Sequence, residues 1–250
     1  MILKGRGVSK GVDEGEVVKV DDRVSLLGDV DPETGKVVNY KNIKSKVFVF
    51  PGGRGSTVGS YIIYQLKKNG YAPKAIINQK SETIVAAGAI ISDIPLVDDI
   101  QIDLLKDGDI VKVDGDDGEV DLRDFEEIPV TTAFLKKDGK VLLVKRSSEV
   151  GSFHEKWSAI SGYLELDNPL DNALREIKEE TGLTVELISQ GEPVLARGEG
   201  HIWKVYPFLF EAQGEVQLNW ENKEYRLVEP EEIKKLETVP KLWEAYQSVR

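Results

Sequence analysis

The chain has 250 residues, of which 40% are hydrophobic and 31% charged, with a net charge of −11 and no cysteine. This balance predicts a folded globular protein, and the missing cysteines exclude disulfides, a thiol nucleophile and an iron–sulfur cluster held by this chain alone. The chain has no run of about 20 apolar residues, no apolar leader and no basic patch, so we expect a cytoplasmic protein that binds neither membranes nor nucleic acid.

The first half of the chain alternates glycine-rich turns with short β-branched runs. The runs "GEVVKV" and "KVFVF" predict strands, and "KAIINQ", "ETIVAAGAIIS" and "DGDIVKVDG" predict buried strands. Between them, "STVGSYIIYQLKKNG" predicts a helix that Ser56 or Thr57 caps and that Gly70 ends. The apolar stripe of this helix is predicted to consist of Ile62, Ile63 and Leu66.

The acidic, turn-rich segment "DGDDGEVDLRDFEEIP" predicts a boundary between two domains, residues 1–125 and 126–250. After it, "VTTAFLKKDGKVLLVKR" predicts a β-hairpin whose tight turn is Asp138-Gly139. A helix over about residues 169–181 is predicted next, then a strand at "HIWKVYPFLFEA" and two short helices separated by Pro240. We therefore expect two α/β domains.

Three carboxylates share one face of the helix predicted at 169–181. Glu176, Glu179 and Glu180 are spaced i, i+3 and i+4, within roughly a 100° arc. Oxygen ligands at this spacing suit Mg²⁺, and the alternative is an ordinary solvated acidic face. The predicted caps are Asp167-Asn168-Pro169 at the start and Gly182 at the end. The residues expected to face the core are Leu170, Leu174 and Ile177.

The segment 175–183, "REIKEETGL", resembles the second half of the Nudix box, the signature of the Nudix hydrolases. The first half of the box differs from the family pattern. Asp167 replaces the glutamate at the usual distance from Arg175. Gly162 is one residue closer to Asp167 than the corresponding glycine is in the family. The resemblance implies a Nudix α/β/α sandwich over residues 126–250 that hydrolyses a diphosphate attached to another group.

The same resemblance implies a set of site residues. These are Glu176, Glu179 and Glu180 as ligands of Mg²⁺ or Mn²⁺, with Glu179 also catalytic, and Arg175 paired with Asp167 to brace the loop. A general base often lies outside the helix in this family. The segment "NWENKEY" offers Glu221, our choice for that role, and Glu224, with a plain acidic loop as the alternative.

Three aromatic residues of the second half are candidates to stack on a flat substrate group. They are Trp157, Tyr163 and Trp203, and for each of them burial in the core is the alternative.

A glycine-rich turn joins a predicted strand to a predicted helix in "KVFVFPGGRGSTVGSYIIYQL". Such a turn exposes backbone N–H groups at a helix N-terminus, where anions bind. The segment does not match the dinucleotide-binding pattern, which requires glycine where Val58 stands, and it lacks the Gly-Lys-Ser/Thr of a P-loop. Anion binding and a purely structural turn are both open on this pattern alone.

The same segment, together with "GRGVSKGVDEGEVV", "APKAIIN" and "ETIVAAGAIISDIPLVD", resembles the aconitase X small-subunit family, which includes the small subunit of archaeal phosphomevalonate dehydratase. The resemblance implies a swivelling β/β/α domain over residues 1–125 that closes over a larger subunit. In the family that large subunit carries an iron–sulfur cluster, in keeping with the absence of cysteine here. A loop serine acts as the proton acceptor, which implies this role for Ser56.

The residues around Ser56 complete the implied site. The loop N–H groups and Arg54 can favour the serine alkoxide, and Arg54 can equally hold a substrate carboxylate or phosphate. The predicted substrate-binding residues are Gly53, Arg54, Gly55 and Thr57.

Three functions agree with these resemblances. In the first, the chain is bifunctional. Its first domain completes a 5-phosphomevalonate dehydratase of archaeal isoprenoid synthesis, in a heterodimer or larger assembly, and its second domain hydrolyses a small diphosphate such as a nucleoside diphosphate derivative. In the second, the Nudix domain is the only enzyme and the first domain is a docking module. In the third, the Nudix domain senses a phosphorylated metabolite for the large subunit. An artificial join of two proteins is a further alternative.

Overall fold

The computed structural model describes the backbone of residues 1–250 and every side chain except that of Tyr40. The chain divides into two compact units, Met1–Phe125 and Glu126–Arg250. Among the described residues, no helix combines the length and the apolar character needed to cross a membrane.

One sheet of eight strands forms the first unit. The strands are β1 (Ile2–Lys4), β2 (Arg6–Ser9), β3 (Val12–Lys19), β4 (Val47–Phe50), β5 (Ala75–Asn78), β6 (Leu96–Asp98), β7 (Ile110–Asp114) and β8 (Glu119–Leu122). Their order in the sheet is β1-β8-β7-β3-β4-β5-β6-β2. Strands β3 to β6 pair in parallel, and the other neighbours pair antiparallel. The helices are α1 (Leu26–Asp29), α2 (Gly59–Lys68) and α3 (Thr83–Ile91), with 3-10 turns at Val38–Tyr40 and Ile102–Leu104.

The parallel strands bring two loops together. Strands β4 and β5 are buried along their whole length, as expected for the centre of a parallel sheet. The glycine-rich loop 51–58 follows β4, and the loop 79–82 follows β5. Because the carboxyl ends of parallel strands meet at one edge of a sheet, these two loops lie side by side.

Helix α2 follows the glycine-rich loop, and its predicted apolar stripe is confirmed. Ile62, Ile63 and Leu66 are all buried. The helix begins later than predicted, at Gly59, and neither predicted hydroxyl caps it. The Ser56 hydroxyl instead accepts a hydrogen bond of 3.3 Å from the backbone N–H of Val58, which forms a turn ahead of the helix.

The prediction of a strand at "ETIVAAGAIIS" is wrong, because this segment forms helix α3. Its buried residues are Val85, Gly88 and Ala89, a three-and-four spacing that belongs to one helical face. Gly88 lets α3 approach α2, since a Cβ at this position would lie 2.6 Å from Ile63 Cδ1. The segment is apolar on its exposed side too, and this hides the helical period in the sequence.

The carboxylate of Asp98, at the end of β6, is fully buried. It accepts hydrogen bonds from Arg6 Nε at 2.9 Å, from Arg6 Nη2 at 2.7 Å and from the backbone N–H of Ser81 at 2.9 Å. Burial raises the pKa of Asp98, but these donors outweigh it and hold the pKa below its ordinary value. We therefore expect this carboxylate to stabilise the first unit when it is ionised.

Asp98→Asn is expected to lower the free energy of unfolding at pH 7 by about 2 kcal/mol, because hydrogen bonds to charged groups contribute roughly 1.5–3 kcal/mol. An acidic group with a depressed folded pKa stabilises the fold above its unfolded pKa, about 4, and loses that contribution as the pH falls through the folded value. Urea unfolding at pH 7 and pH 3 should therefore show a smaller difference between wild type and variant at pH 3. Asp99→Asn, at the exposed neighbouring position, is the control. Equal differences at both pH values would contradict the assignment.

The second unit is a separate sheet with helices on both sides. Its strands are β9 (Glu127–Lys137), β10 (Lys140–Arg146), β11 (Trp157–Ser158), β12 (Ile160–Tyr163), β13 (Thr184–Gln190), β14 (Val194–Gly198), β15 (His201–Gln213) and β16 (Asn222–Val228). Its helices are α4 (Pro169–Thr181) and α5 (Leu242–Val249), with a 3-10 helix at Pro230–Lys235. Strand β9 pairs antiparallel with β10 and β12 and parallel with β15.

The two helices cover opposite faces of this sheet. Ala173 and Ile177 of α4 pack in a cluster with Leu142 of β10, whereas Leu242 of α5 packs in a cluster with Val141, the preceding residue of that strand. Consecutive strand residues point to opposite faces, so the sheet lies between α4 and α5. The predicted fold class, two α/β domains of which the second is an α/β/α sandwich, is confirmed.

The hairpin turn and the caps of α4 in the second unit are confirmed. Asp138 and Gly139 both have positive φ, 52° and 79°, as a tight hairpin turn requires. Helix α4 begins at Pro169 after Asn168, whose side chain accepts a hydrogen bond from the N–H of Leu170. It ends before Gly182, which has a φ of 67°.

The predicted core face of α4 is only partly correct. Ile177 is fully buried, Leu170 is half-buried and Leu174 is exposed. The buried face is turned toward Ala173 and Thr181, and it also includes Asn172 and two of the glutamates.

Candidate functional site

A cleft of about 400 Å³ opens in the second unit. It is lined by residues of β9, β12, β14 and β15, by residues of α4 and by residues just before β16. Its charged lining consists of Arg146, Glu165, Arg175, Glu176, Glu179 and Glu221. Four carboxylates and two guanidinium groups therefore share one cavity with an apolar and aromatic lining, so the cavity offers ion-binding groups beside apolar surface.

The carboxylates of α4 do not form an ordinary solvated face. Glu176 is 9% exposed and Glu180 is 3% exposed, whereas Glu179 is exposed and lines the cleft. Gly162 of β12 makes room for Glu176, because a Cβ at Gly162 would lie 2.2 Å from Glu176 Cδ. The helix thus directs two of its three glutamates inward, against the sheet.

The burial of Glu180 is electrostatically unfavourable in the absence of a cation. Burial raises the pKa of Glu180 to about 8; the hydrogen bond from Asn222 opposes this, and the charges of Glu221 and Glu176 add to it. Glu180 Oε2 accepts a hydrogen bond of 2.5 Å from Asn222 Nδ2, but Oε1 is buried without a hydrogen-bond partner. Burial also raises the pKa of Glu176, against the opposing hydrogen bond from Arg175.

These groups fit a hard divalent cation in their chemistry. The donors are carboxylate oxygens, the ligands that Mg²⁺ and Mn²⁺ prefer, and the unpartnered Glu180 Oε1 is a ligand atom that a cation would satisfy. Within the described part of the chain, no three His, Cys, Asp or Glu side chains already form a group that could hold a metal. Asn222 engages one oxygen of Glu180 and Arg175 engages one oxygen of Glu176.

The predicted partner of Arg175 was Asp167, and the structure replaces it with Glu165. Arg175 Nη1 lies 2.8 Å from Glu165 Oε2, and Nη2 lies 2.8 Å from Glu176 Oε1. The short loop explains the difference. The backbone N–H of Glu165 donates to Asn172 Oδ1, which fixes Glu165 beside α4 one turn before Arg175. Asp167 comes later in the loop and is exposed.

Arg146, at the end of β10, was not predicted to belong to the site. Its Nε donates to the carbonyl of Ser152 at 2.9 Å, and its guanidinium lines the cleft. Burial lowers its pKa below the ordinary value, while the charges of Glu180 and Glu221 oppose that effect. The sequence has 33 lysine and arginine residues, so Arg146 does not stand out among them. It is the pairing of β10 with its neighbouring strands that brings Arg146 to the carboxylates.

The two candidates for a general base have different surroundings. Glu221 lines the cleft, and its Oε1 accepts a hydrogen bond of 3.1 Å from Asn219 Nδ2. Glu224 lies on β16, where it is 3.9 Å from Lys145 Nζ and 3.8 Å from Arg226 Nη2. The geometry therefore favours Glu221.

The three aromatic candidates differ in whether they line the cleft. Tyr163 and Trp203 line the cleft together with Phe153, whose ring centre is 5.3 Å from that of Trp203. Trp157 does not line it; it is buried, with Arg226 Cζ 4.6 Å from its ring centre. The core alternative is therefore right for Trp157. It also holds for Trp203, which is equally buried and packs in the same apolar cluster while lining the cleft, and Phe153 is a further aromatic residue of the cleft.

In the first unit, the glycine-rich loop exposes the predicted serine. Ser56, Thr57 and Gly55 are exposed, and Gly55 has a φ of 99° that favours glycine. Arg54 is held in place because its Nε donates to the carbonyl of Arg23 at 3.0 Å and its Nη2 lies 3.3 Å from Asp29.

Gly53 differs from these residues because it is buried and its N–H is already used. That N–H donates to Glu82 Oε2 at 2.8 Å, while Glu82 Oε1 is buried without a partner. Glu82 begins α3 on the neighbouring loop, and nothing in the local sequence pattern indicates this contact.

Gly53→Ala is expected to destabilise the first unit by about 1–3 kcal/mol, the usual cost of overpacking. The added Cβ would lie 2.0 Å from Glu82 Oε1 and 2.9 Å from Val85 Cγ2, so either the Glu82 carboxylate, which accepts from the Gly53 N–H, or the loop itself must shift. Gly28→Ala is the control, because its Cβ would meet only ordinary contacts from 3.4 Å onward. Thermal unfolding of both variants measures the difference, and equal melting temperatures would show that Glu82 does not fix the loop.

Comparison with known proteins finds a family match for each half of the chain. A family model described as the aconitase X swivel domain matches residues 2–122, and one described as the NUDIX domain matches residues 127–249. The phosphomevalonate dehydratase small subunit of Methanosarcina acetivorans is 57% identical over 129 residues, which cover 48% of this chain and 90% of that protein.

Two solved structures are similar to separate halves of the chain. The crystal structure of Thermococcus kodakaraensis aconitase X in its holo-form is 54% identical, with a TM-score of 0.48, and the match covers 49% of this chain and 98% of that one. The crystal structure of a MutT protein from Methanosarcina mazei is 25% identical, with a TM-score of 0.43, and the match covers 50% of this chain and 93% of that one.

The sequence matches support enzyme activity of dehydratase type in the first half and of hydrolase type in the second. The chain therefore belongs to the phosphomevalonate dehydratase small-subunit family through its aconitase X swivel domain, and its second half is a NUDIX domain.

Proposed function

We propose that residues 126–250 hydrolyse a diphosphate linkage in a small molecule with the help of Mg²⁺ or Mn²⁺. The observation that carries this proposal is the Glu180 carboxylate, which is buried with one oxygen lacking a partner. Glu176, Glu179 and Glu180 would hold the cation. A bound divalent cation supplies charge neutralisation at the phosphate oxygens and activates water for attack.

The residues of the chain contribute binding and proton transfer. Arg146 is a half-buried cation that lines the cleft together with the carboxylates, and a guanidinium binds phosphate oxygens through charge-assisted hydrogen bonds. Arg175 positions Glu176 by its 2.8 Å contact. Glu221, oriented by Asn219, is available to accept the proton of the attacking water.

A substrate panel tests this activity. Nucleoside diphosphate sugars, dinucleotide polyphosphates and isoprenoid diphosphates are incubated with the full chain, with and without Mg²⁺ or Mn²⁺, and released phosphate groups are measured. Metal-dependent cleavage of at least one class is expected. If the metal raises the melting temperature of the second unit and no class is cleaved, a sensor of phosphorylated metabolites replaces the hydrolase.

We further propose that residues 1–125 are the small-subunit component of a 5-phosphomevalonate dehydratase in a mevalonate pathway. The 57% identity to a protein named as such a small subunit, and the exposed Ser56 at the carboxyl edge of the parallel strands, support this. The iron–sulfur cluster would be bound by a separate large subunit, because this chain has no cysteine. The swivel domain would then be active only in the assembled complex.

Co-purification with a cognate large subunit tests the partnership. A stable complex that dehydrates 5-phosphomevalonate supports the bifunctional chain. A stable complex without dehydration, together with diphosphate cleavage, supports the alternative in which the first domain is only a docking module.

A further inference from the structure

The loop 147–156 joins β10 to β11 and lines part of the cleft through Ser152 and Phe153. The Phe153 ring lies against the β14–β15 hairpin, where Gly198 leaves the necessary space, because a Cβ at Gly198 would be 2.7 Å from Phe153 Cε1. The same ring contacts Trp203, with 5.3 Å between the two ring centres. The loop is therefore packed onto the hairpin through the Phe153 side chain.

The peptide unit between Ser152 and Phe153 is hydrogen-bonded at both ends. Its carbonyl oxygen, that of Ser152, accepts from Arg146 Nε at 2.9 Å. Its N–H, that of Phe153, donates to Glu199 Oε1 at 3.0 Å. A trans peptide unit is planar, so its N–H and its C=O point in opposite directions. The contact with Glu199 therefore fixes the direction of the carbonyl that Arg146 uses.

This orientation of the peptide unit opposes the backbone preference of Phe153. Its φ is 50°, in the left-handed region that bulky residues rarely adopt. A flip of the peptide plane would change this φ by roughly 180°, to a negative value that suits phenylalanine. The same flip would turn the Ser152 carbonyl away from Arg146. An acceptor for the Phe153 N–H is therefore required to hold the observed orientation, and Glu199 provides it.

Glutamate is an unusual residue for position 199. Glu199 and Gly200 form the two-residue turn between β14 and β15, with φ of 50° and 81°. Turns of this kind favour asparagine, aspartate or glycine at the first position, as at Asp138 in the turn between β9 and β10, where φ is 52°. The longer side chain of glutamate reaches the Phe153 N–H, and this contact accounts for its presence in the turn.

The Arg146 guanidinium keeps donors for a ligand. Its Nε–H is used by the Ser152 carbonyl, and its Nη2 lies 3.5 Å from the Ser152 hydroxyl. The described hydrogen bonds include no acceptor for Nη1. Because a guanidinium is a rigid planar fork, the bond at Nε sets the direction of the remaining N–H groups. That direction decides where Arg146 can bind a phosphate oxygen.

We propose that Glu199 is a positioning residue that orients Arg146 through the Ser152–Phe153 peptide. This rests on the proposed function, in which Arg146 binds a phosphate group of the substrate. Glu199 is not among the residues that line the cleft, so it acts on the substrate only through Arg146. Glu199→Gly is expected to weaken phosphate binding and to leave the fold intact, because glycine adopts positive φ without strain.

The NMR signal of the Arg146 Nε–H group tests the positioning role without any substrate. Glu199→Gly is expected to shift or broaden this signal and to speed amide hydrogen exchange at Phe153 about fivefold or more. Glu199→Gln keeps an acceptor oxygen and should retain both properties. Asp138→Gly is the matched control, because it changes the same position of the other two-residue turn, and it should also retain both.

Binding of methylene diphosphonate, a diphosphate analogue that is not hydrolysed, tests the consequence for the cleft. Calorimetry on the full chain with Mg²⁺ is expected to give a Kd about fivefold to tenfold higher for Glu199→Gly than for the wild type, Glu199→Gln or Asp138→Gly. In Arg146→Gln, the added change Glu199→Gly should have no further effect, because both residues act through one contact. The melting temperature of Glu199→Gly should stay within about 3 °C of the wild type.

These measurements separate the positioning role from the proposed hydrolysis. An altered Arg146 signal with weaker diphosphonate binding in Glu199→Gly, and no cleavage of any substrate by the wild type, would support the positioning role and defeat the hydrolase. Cleavage with the same kcat and KM in the wild type and in Glu199→Gly would support the hydrolase and overturn the positioning role. Losses that add in the double variant, or an unchanged Arg146 signal in Glu199→Gly, would also overturn it.

Discussion

Glu180→Gln is expected to lower diphosphate hydrolysis by about 100-fold or more, because a lost charge at a metal ion removes several kcal/mol of transition-state stabilisation. The variant is also expected to lose the stabilisation by Mg²⁺ or Mn²⁺, which reaches about 2.7 kcal/mol for the wild type at 100 times the dissociation constant. Without metal, its stability should equal or exceed that of the wild type. Glutamine can keep the hydrogen bond from Asn222, and it removes a buried carboxylate that Glu176 and Glu221 disfavour.

Loss of the metal response without any loss of stability in the absence of metal distinguishes metal binding by Glu180 from a structural role. A glutamate that only supported the fold would lower the melting temperature when replaced, with or without metal. Glu186→Gln, at an exposed position of β13, is the control and should change neither the metal response nor the rate. Thermal unfolding with and without Mg²⁺, and the substrate panel, provide the measurements. An unchanged metal response in Glu180→Gln would remove Glu180 from the proposed ligand set.

Helix α4 shows how far local patterns predict this site. Its caps and length follow from Asn168, Pro169 and Gly182, which act within a single turn of backbone. The orientation of the helix does not follow from them. Leu174 is exposed, while Glu180 is buried, against the ordinary preference of both residue types. A buried carboxylate is favourable only together with groups from other elements, and a sequence window does not contain those groups.

The errors in the sequence interpretation have three different origins. Segment 83–91 is apolar on all sides, so its pattern fits a buried strand as well as the helix that forms. Glu165 replaces Asp167 as the partner of Arg175 because Asn172 anchors the backbone of a shortened loop. Arg146 reaches the cleft from a strand whose own pattern is that of an ordinary hairpin. Only the place of Arg146 depends on the pairing of strands, which a local window of sequence does not contain.

Ser56→Ala is expected to lower 5-phosphomevalonate dehydration by about 100-fold to 10,000-fold in the complex with a cognate large subunit, which is the usual contribution of a group that takes a proton. The Ser56 hydroxyl accepts a hydrogen bond from the N–H of Val58, so its own proton is not consumed by that contact. Arg54 lies in the same loop, anchored by Asp29, and can favour the charged oxygen. The chain alone is expected to show no dehydration of 5-phosphomevalonate, because without cysteine it cannot hold the cluster.

The same complex allows the role of Ser56 to be separated from that of the loop. Ser60→Ala is the control, since the hydroxyl of Ser60, the second residue of α2, only donates to the carbonyl of Thr57. It should keep full dehydratase activity, and both variants should bind the large subunit as tightly as the wild type, because Ser56 is exposed and its removal leaves the fold unchanged. Diphosphate hydrolysis by the second unit should be the same in all three proteins. Full dehydratase activity of Ser56→Ala would refute the proton-acceptor role, and dehydration by the chain without a large subunit would refute the need for a partner.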